Sequence, residues 1–316
     1  MDLKTHENQT KKLSWINYVN RFGILLIILI LVSMPFVDYQ KLYYRVRLKV
    51  LNRLRPSSVT YLLNFAKNPH IKDDDRLAKY QFYYQHVYDL MPNRMDALGL
   101  YGYCSYYLGQ PEEAREAYEQ ALEINPHFFW FYHNLGIIHF QQGDYDQAVA
   151  VLSEALNTRP ENVFRVISLS PRIYMPLVKG RQDAIDQARL TRQIKRGYRN
   201  VYLLLIKSLQ EKEAYQRMLQ TAMKAIEAKL DGAGNFHFYA GLALYRLQKF
   251  EQATLFYKKC LEKNPKHAEA LKYFGILSTE MGSRELGLKM IQKATYLTEA
   301  GQAYRLDPNT IDLQPY

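Results

Sequence analysis

Three prolines keep one interval: Pro92, Pro126 and Pro160 stand 34 residues apart, each after a helical, mostly apolar pattern (HVYDLMP, ALEINP, ALNTRP). Other residues keep the same step. With the proline as position 32, the unit from Met95 has Gly102 at 8, Gly109 at 15, Ala114 at 20, Tyr118 at 24 and Ala121 at 27. The unit from Phe129 has Gly136, Gly143, Ala148, Leu152 and Ala155 at the same positions. A period of this length means a stack of like supersecondary units, none of which can bury its apolar face alone.

The residue types predict an antiparallel helix pair. Small residues at 8, 20 and 27 let two helices approach closely, and larger apolar ones at 24 fill the gaps around them. Gly at 15 accepts the positive φ that ends a first helix, and Pro at 32 falls where the second can no longer continue. GQPEEA and GDYDQA place acids in the first turn of the second helix, where they complement its dipole.

The stretches LYGYCSYYLGQPEEAREAYEQALEINP and YHNLGIIHFQQGDYDQAVAVLSEALNTRP resemble tetratricopeptide repeats. FHFYAGLALYRLQKFEQATLFYKKCLEKNP is similar, with Cys260 in place of the alanine at 27 and Gln248 in place of the turn glycine. ALKYFGILSTEMGSRELGLKMIQKA is a fourth unit with Gly287 at 20, and its second helix is expected to run on to Pro308. The resemblance implies an all-α, right-handed superhelical solenoid of antiparallel helix pairs. The expected order is a degenerate first unit at 58–92, two regular units at 93–160, irregular hairpins at 161–233, two units at 234–308 and a tail at 309–316. Within the irregular region, helices are expected at 182–194, 201–209 and 214–228.

In such a solenoid the first helix of each pair lines a concave groove. The residues that the resemblance places there are Tyr103, Tyr106, Tyr107, Trp130, His133, Asn134, Ile137, Phe140, Phe238, Tyr239, Tyr245, Arg246, Lys272 and Tyr273. Relatives that clamp a C-terminal carboxylate use Lys, Asn and Asn at three set positions. Only Asn134 matches here, with Gly99 and Tyr103 at the other two, so a chaperone-tail receptor is disfavoured. An aromatic groove, in a chain with 27 Tyr, suits an amphipathic helix or an extended peptide with apolar anchors. The competing reading is that these aromatics only pack between neighbouring pairs.

Charge is unevenly placed in a chain of net charge +11. Basic residues crowd the first 55 positions and flank the uncharged run FGILLIILILVSMPFV, which lies between Arg21 and Asp38. That run predicts a single transmembrane anchor at 22–40, after a short basic tail at 1–21 and before a basic juxtamembrane helix at 41–57. A cleaved signal peptide and a buried core helix are the alternatives. The expected location is the bacterial inner membrane, and the Lys/Arg count on the two sides favours a cytoplasmic C-terminal domain. A second basic stretch carries Arg189, Arg192, Lys195, Arg196 and Arg199. It reads as a solvated face, or as a contact for an acidic protein or anionic headgroups, before it reads as a nucleic-acid site.

Nucleotide-binding glycine motifs, zinc-protease histidines and the nucleophile elbow are absent from the sequence. His127, His133 and His139 step by six and share no helix face, and Cys104 and Cys260 fall inside helices. No metal, cofactor or catalytic residue is therefore expected. The expected function is a membrane-tethered, non-catalytic scaffold that binds other proteins. Assembly or regulation of an envelope machine (secretion, pilus or polysaccharide system) is the alternative, and an enzyme site within 161–233 is the outlier. Self-association is open.

Overall fold

A computed structural model describes residues 74–90, 92, 94–158, 183–304 and 307–314. All of them fall in the second of two compact units, Ser57–Tyr316. The described residues form eleven α-helices: α1 Asp74–Leu90, α2 Met95–Tyr107, α3 Pro111–Ile124, α4 Phe129–Gln141, α5 Tyr145–Asn157, α6 Asp183–Glu211, α7 Tyr215–Glu227, α8 Asn235–Arg246, α9 Phe250–Lys263, α10 Ala268–Glu280 and α11 Arg284–Glu299. Each helix packs on the next in sequence, and α6 crosses against both α4 and α5. This is the neighbour-to-neighbour stacking of a helical-repeat solenoid.

The seams are where the repeat phase puts them. A Cβ on Gly102 would lie 3.3 Å from the Tyr118 ring, one on Gly241 2.8 Å from Tyr257, and one on Gly275 2.7 Å from Ile291. Positions 8 and 24 therefore face each other. Ala114, Tyr118 and Ala121 are fully buried, as are Ala148, Leu152 and Ala155.

The turns share one closure. The N–H of Gly109 reaches Tyr106 O and that of Gln110 reaches Ser105 O, and the same pair of bonds recurs at Gly143, Glu213, Gln248 and Gly282. All five turn residues have positive φ, from 53° at Glu213 to 90° at Gly282. The recurrence at Glu213 marks the end of α6 and α7 as a further pair of the same kind.

Three sequence-based expectations differ from this fold. The helices expected at 182–194 and 201–209 are one helix, because Gly197 does not break it. A Cβ at Gly197 would lie 2.7 Å from the Trp130 ring and 2.9 Å from Phe129, so this glycine admits a close helix crossing. The last helix does not run on to Pro308. Gly301, at φ 64°, turns the chain after Glu299.

The third correction concerns the membrane. No helix among the described residues is long and apolar enough to cross one. Residues 22–40, where the anchor is expected, lie outside the described residues, as do 1–21, 41–57, the first helix of the degenerate unit and 159–182. The fold class is thus an all-α solenoid of paired helices with no spanning helix among the described residues. Membrane anchoring, the bilayer and its headgroups as partners, and a single-pass inner-membrane location have no support in it.

Candidate functional site

After α11 the chain turns back across the first helices of the pairs. Tyr304 N donates to Lys266 O at 3.0 Å, and Asn235 Nδ2 donates to the Tyr304 hydroxyl at 2.9 Å. A short turn at Pro308–Thr310 follows, capped by Asp307, whose carboxylate accepts from Asn309 N at 2.9 Å. This turn rests against α6. Residues 311–314 have no helical or sheet pairing and reach α4 and α2. The segment thus visits α8, α6, α4 and α2 in reverse chain order.

Asn134 holds its far end. Its Nδ2 donates to Gln314 O at 2.9 Å, and its Oδ1 accepts from Gln314 N at 3.0 Å. One side chain thereby satisfies both backbone groups of one residue, which reads an extended chain whatever its side chain. The amide is fully buried and held in orientation. Its Nδ2 also donates to the Tyr118 hydroxyl at 3.1 Å, and its Oδ1 lies 3.1 Å from His133 Nδ1. Those contacts fix His133 with its proton on Nδ1 and leave Nε2 buried without a hydrogen-bond partner. Burial pushes the His133 pKa down to about 4, so the imidazole is neutral near pH 7.

Beside Asn134, Leu313 is 2% exposed, while Asp312 is exposed and faces the tyrosines of α2. The Tyr107 hydroxyl donates a long hydrogen bond of 3.4 Å to Asp312 Oδ1. Tyr103 and Tyr106 pack on Tyr107 with ring centroids 4.8 and 5.1 Å apart. Burial, with a smaller contribution from the Asp312 charge, raises the pKa of all three phenols, that of Tyr103 to about 12. They are neutral donors.

The expected groove residues divide into two sets. Tyr103, Tyr106, Tyr107 and Asn134 gather around residues 312–314. Phe140 and Lys272 line a cavity of about 1090 Å³ next to the Pro308 turn, with Lys207, Glu211 and Glu269. The other set is interior apart from half-buried Tyr245 and Tyr273 and exposed Arg246. Trp130 fits against Gly197, and His133 and Ile137 are fully buried. Phe238 sits among Tyr239, Tyr257, His267 and Tyr273, with centroids between 4.9 and 6.2 Å. Tyr239 is 2% exposed. Tyr245 donates to Glu280 at 2.9 Å, and exposed Arg246 lies over the Tyr215 ring at 5.9 Å. Trp130, Phe238 and Tyr239 are buried among their neighbours.

Of the basic stretch, Arg192, Lys195, Arg196 and Arg199 are exposed along α6, and the side chain of Arg189 lies outside the described set. Among the described residues no group of three or more His, Cys, Asp or Glu could hold a metal ion. Cys104 and Cys260 are free and buried, and burial raises both thiols to about 12, so neither is a ready nucleophile. The sequence reading missed residues 307–314, taking 309–316 for a tail. The available signal was the alternation of Ile311 and Leu313 with Asp312 and Gln314 between Pro308 and Pro315, which suits an extended strip with apolar anchors.

Two stretches of the chain match the tetratricopeptide repeat. One family model covers residues 106–170 and a second covers 234–267. A curated relative, the Arabidopsis thaliana protein CTR9 homolog, is 26% identical over 206 residues, which is 62% of this chain. The match spans only 19% of that protein's length. Among solved structures, YrrB, described as a TPR protein with an unusual peptide-binding site, is 16% identical, with 68% of this chain and 92% of that chain covered and a TM-score of 0.49. Residues 41 to the end of MamA from Desulfovibrio magneticus RS-1 are 14% identical (71% and 98% covered, TM-score 0.46). Pseudomonas aeruginosa PilF is 14% identical (75% and 94% covered, TM-score 0.47). None of the three reaches a TM-score of 0.5, and none decides what this chain binds.

Proposed function

We propose that the chain is a non-catalytic helical-repeat scaffold that holds an extended segment of a partner protein along the first helices of its pairs. One observation carries this reading. The Asn134 amide makes two hydrogen bonds to the backbone of Gln314, so the groove floor has the geometry to grip an extended strand. Backbone bonds supply grip, and the buried site of Leu313 supplies selectivity. The free concave cavity beside Phe140 and Lys272 extends the same surface.

Of the two scaffold readings drawn from the sequence, the one resting on a membrane tether falls away. What is left is a scaffold that helps a multi-protein machine assemble, the envelope setting being the narrower form of that role. A photo-crosslinking residue tests the surface. Placed at Gln141, at the cavity edge, it should capture a partner polypeptide in cells. Placed at Glu116, an exposed position of α3, it should capture little. Crosslinks at Glu116 with none at Gln141 would move the binding face to the other side of the solenoid.

A further inference from the structure

The described groove is already occupied by the chain itself. Residues 312–314 lie where a partner strand would lie, and four features make the fit specific. Gln314 has both backbone groups taken by Asn134, at 2.9 and 3.0 Å. Leu313 is almost wholly buried between exposed Asp312 and half-buried Gln314, and Pro308 is the segment's other buried residue. Asp312 turns its carboxylate toward the α2 tyrosines. Upstream, Tyr304 bonds Asn235 and the Pro308–Thr310 turn rests on α6. The side chains that meet the groove are thus an acidic residue followed at once by an apolar one.

We propose that the groove takes extended peptides with an acidic residue immediately before an apolar one, and that residues 307–314 are a resident occupant which such a peptide displaces. The inference rests on the scaffold reading above and adds a ligand class and a regulatory contact to it. The ordering cost of the segment is small, since it is tethered a few residues from α11 and competes at high effective concentration. A partner therefore binds an occupied groove more weakly than an empty one, by the fraction of time the segment is away. The Asp312 side is read by the Tyr107 hydroxyl rather than by a cation. Glutamate should serve there as well as aspartate, and lysine should not.

The test uses the full chain and a fluorescein-labelled peptide spanning Asp307–Tyr316 (DPNTIDLQPY), followed by fluorescence anisotropy. Leu313→Glu in the protein should expel the resident segment and tighten peptide binding at least tenfold over wild type. Asp312→Lys, at an exposed position, is the second variant should Leu313→Glu fold poorly, and it should shift binding in the same direction. Adding Asn134→Ala to either should abolish the gain, and a peptide with glutamate at the leucine should not bind. Equal affinity for wild type and both variants would overturn the resident-occupant proposal while leaving the groove reading intact. No binding to any form would overturn the ligand class, and the crosslinking at Gln141 then judges the groove separately. A wild-type dimer that Leu313→Glu converts to monomer would place the segment in a second copy, overturning the intramolecular arrangement.

Discussion

In α2–α3, Gly102 faces Tyr118; in α6–α7, Ile206 stands where the glycine would be and Ala222 where the tyrosine would be. Counted from the left-handed turn residue, Gly109 in one pair and Glu213 in the other, these are the same two positions. All four are buried, and Met218 replaces the small residue of Ala114. The two pairs close with the same backbone bonds at the turn. The constraint on this facing pair is therefore its summed volume, not the identity of the residue that is small. A large side chain is accepted on one helix when the facing helix gives up its own.

The largest expected effect converts one kind of seam into the other. Tyr257→Ala should destabilise by about 3–5 kcal/mol through the cavity it leaves, and Gly241→Ile by about 3 kcal/mol through overpacking against Tyr257. Together they rebuild the Ile–Ala arrangement of α6–α7, and should cost less than the sum of the singles by about 2 kcal/mol or more. Denaturant melts of the four proteins measure the coupling. Strict additivity would show that the two seams differ by more than an exchange of volume.

Acid should separate the pairs next. Burial holds His133 and His267 near pKa 4, below the ordinary 6.5, and His267 Nδ1 also accepts from Ala270 N at 3.2 Å. The unfolded chain takes up these protons first, so stability is intact above about pH 7 and falls as the pH drops from about 6.5 to 4. At roughly 1.4 kcal/mol per pKa unit, the loss for the two together is on the order of a few kcal/mol. Residues 183–227 contain no histidine. Hydrogen exchange at pH 4.5 against pH 7 should therefore show faster opening in α4 and α10 than in α7. Uniform opening would mean the pairs unfold as one unit.

The smallest effect concerns the turns. Glu213 and Gln248 hold φ of 53° and 59°, where Gly109, Gly143 and Gly282 hold the same turn without a Cβ. Glu213→Gly and Gln248→Gly should each stabilise by about 0.5–1 kcal/mol, since relief of left-handed strain outweighs the added entropy of the unfolded chain. A lower melting temperature for both would show that their side chains hold the turn in another way.

Legibility in the sequence followed side-chain volume and chain direction. The pairs from Met95 to Asn157 and from Asn235 to Glu299 were readable because glycine or alanine sits at the seam positions. The α6–α7 pair was not, because its small residue moved to position 24. Gly197 lies between the two helices expected at 182–194 and 201–209, glycine disfavours helices by about 1 kcal/mol, and nothing local reveals that Trp130 comes to rest on it. Repeat phase put Asn134 and the Tyr103–Tyr106–Tyr107 group on the first helices, where they meet residues 312–314. Trp130, Phe238 and Tyr239 were assigned to the surface because phase locates a helix face, but not what the next pair lays upon it. The resident segment carried only a four-residue alternation, too short to distinguish from an ordinary tail.

A stack of repeats has almost no contacts between residues far apart in sequence, which makes it a spring whose coils stretch and relax independently. The bonds from Asn134 to Gln314 and from Tyr107 to Asp312 span 180 and 205 residues. They act as a tendon drawn along the inside of the coil. With it seated, pulling α4 away from α10 must first break the Asn134 grip, so the spring is stiff and its pitch set. Such distant contacts are the last to gain from chain closure, so the coil forms before the tendon is laid down. A partner that lifts the segment out would meet a longer, softer coil, and its own strand would then set the pitch.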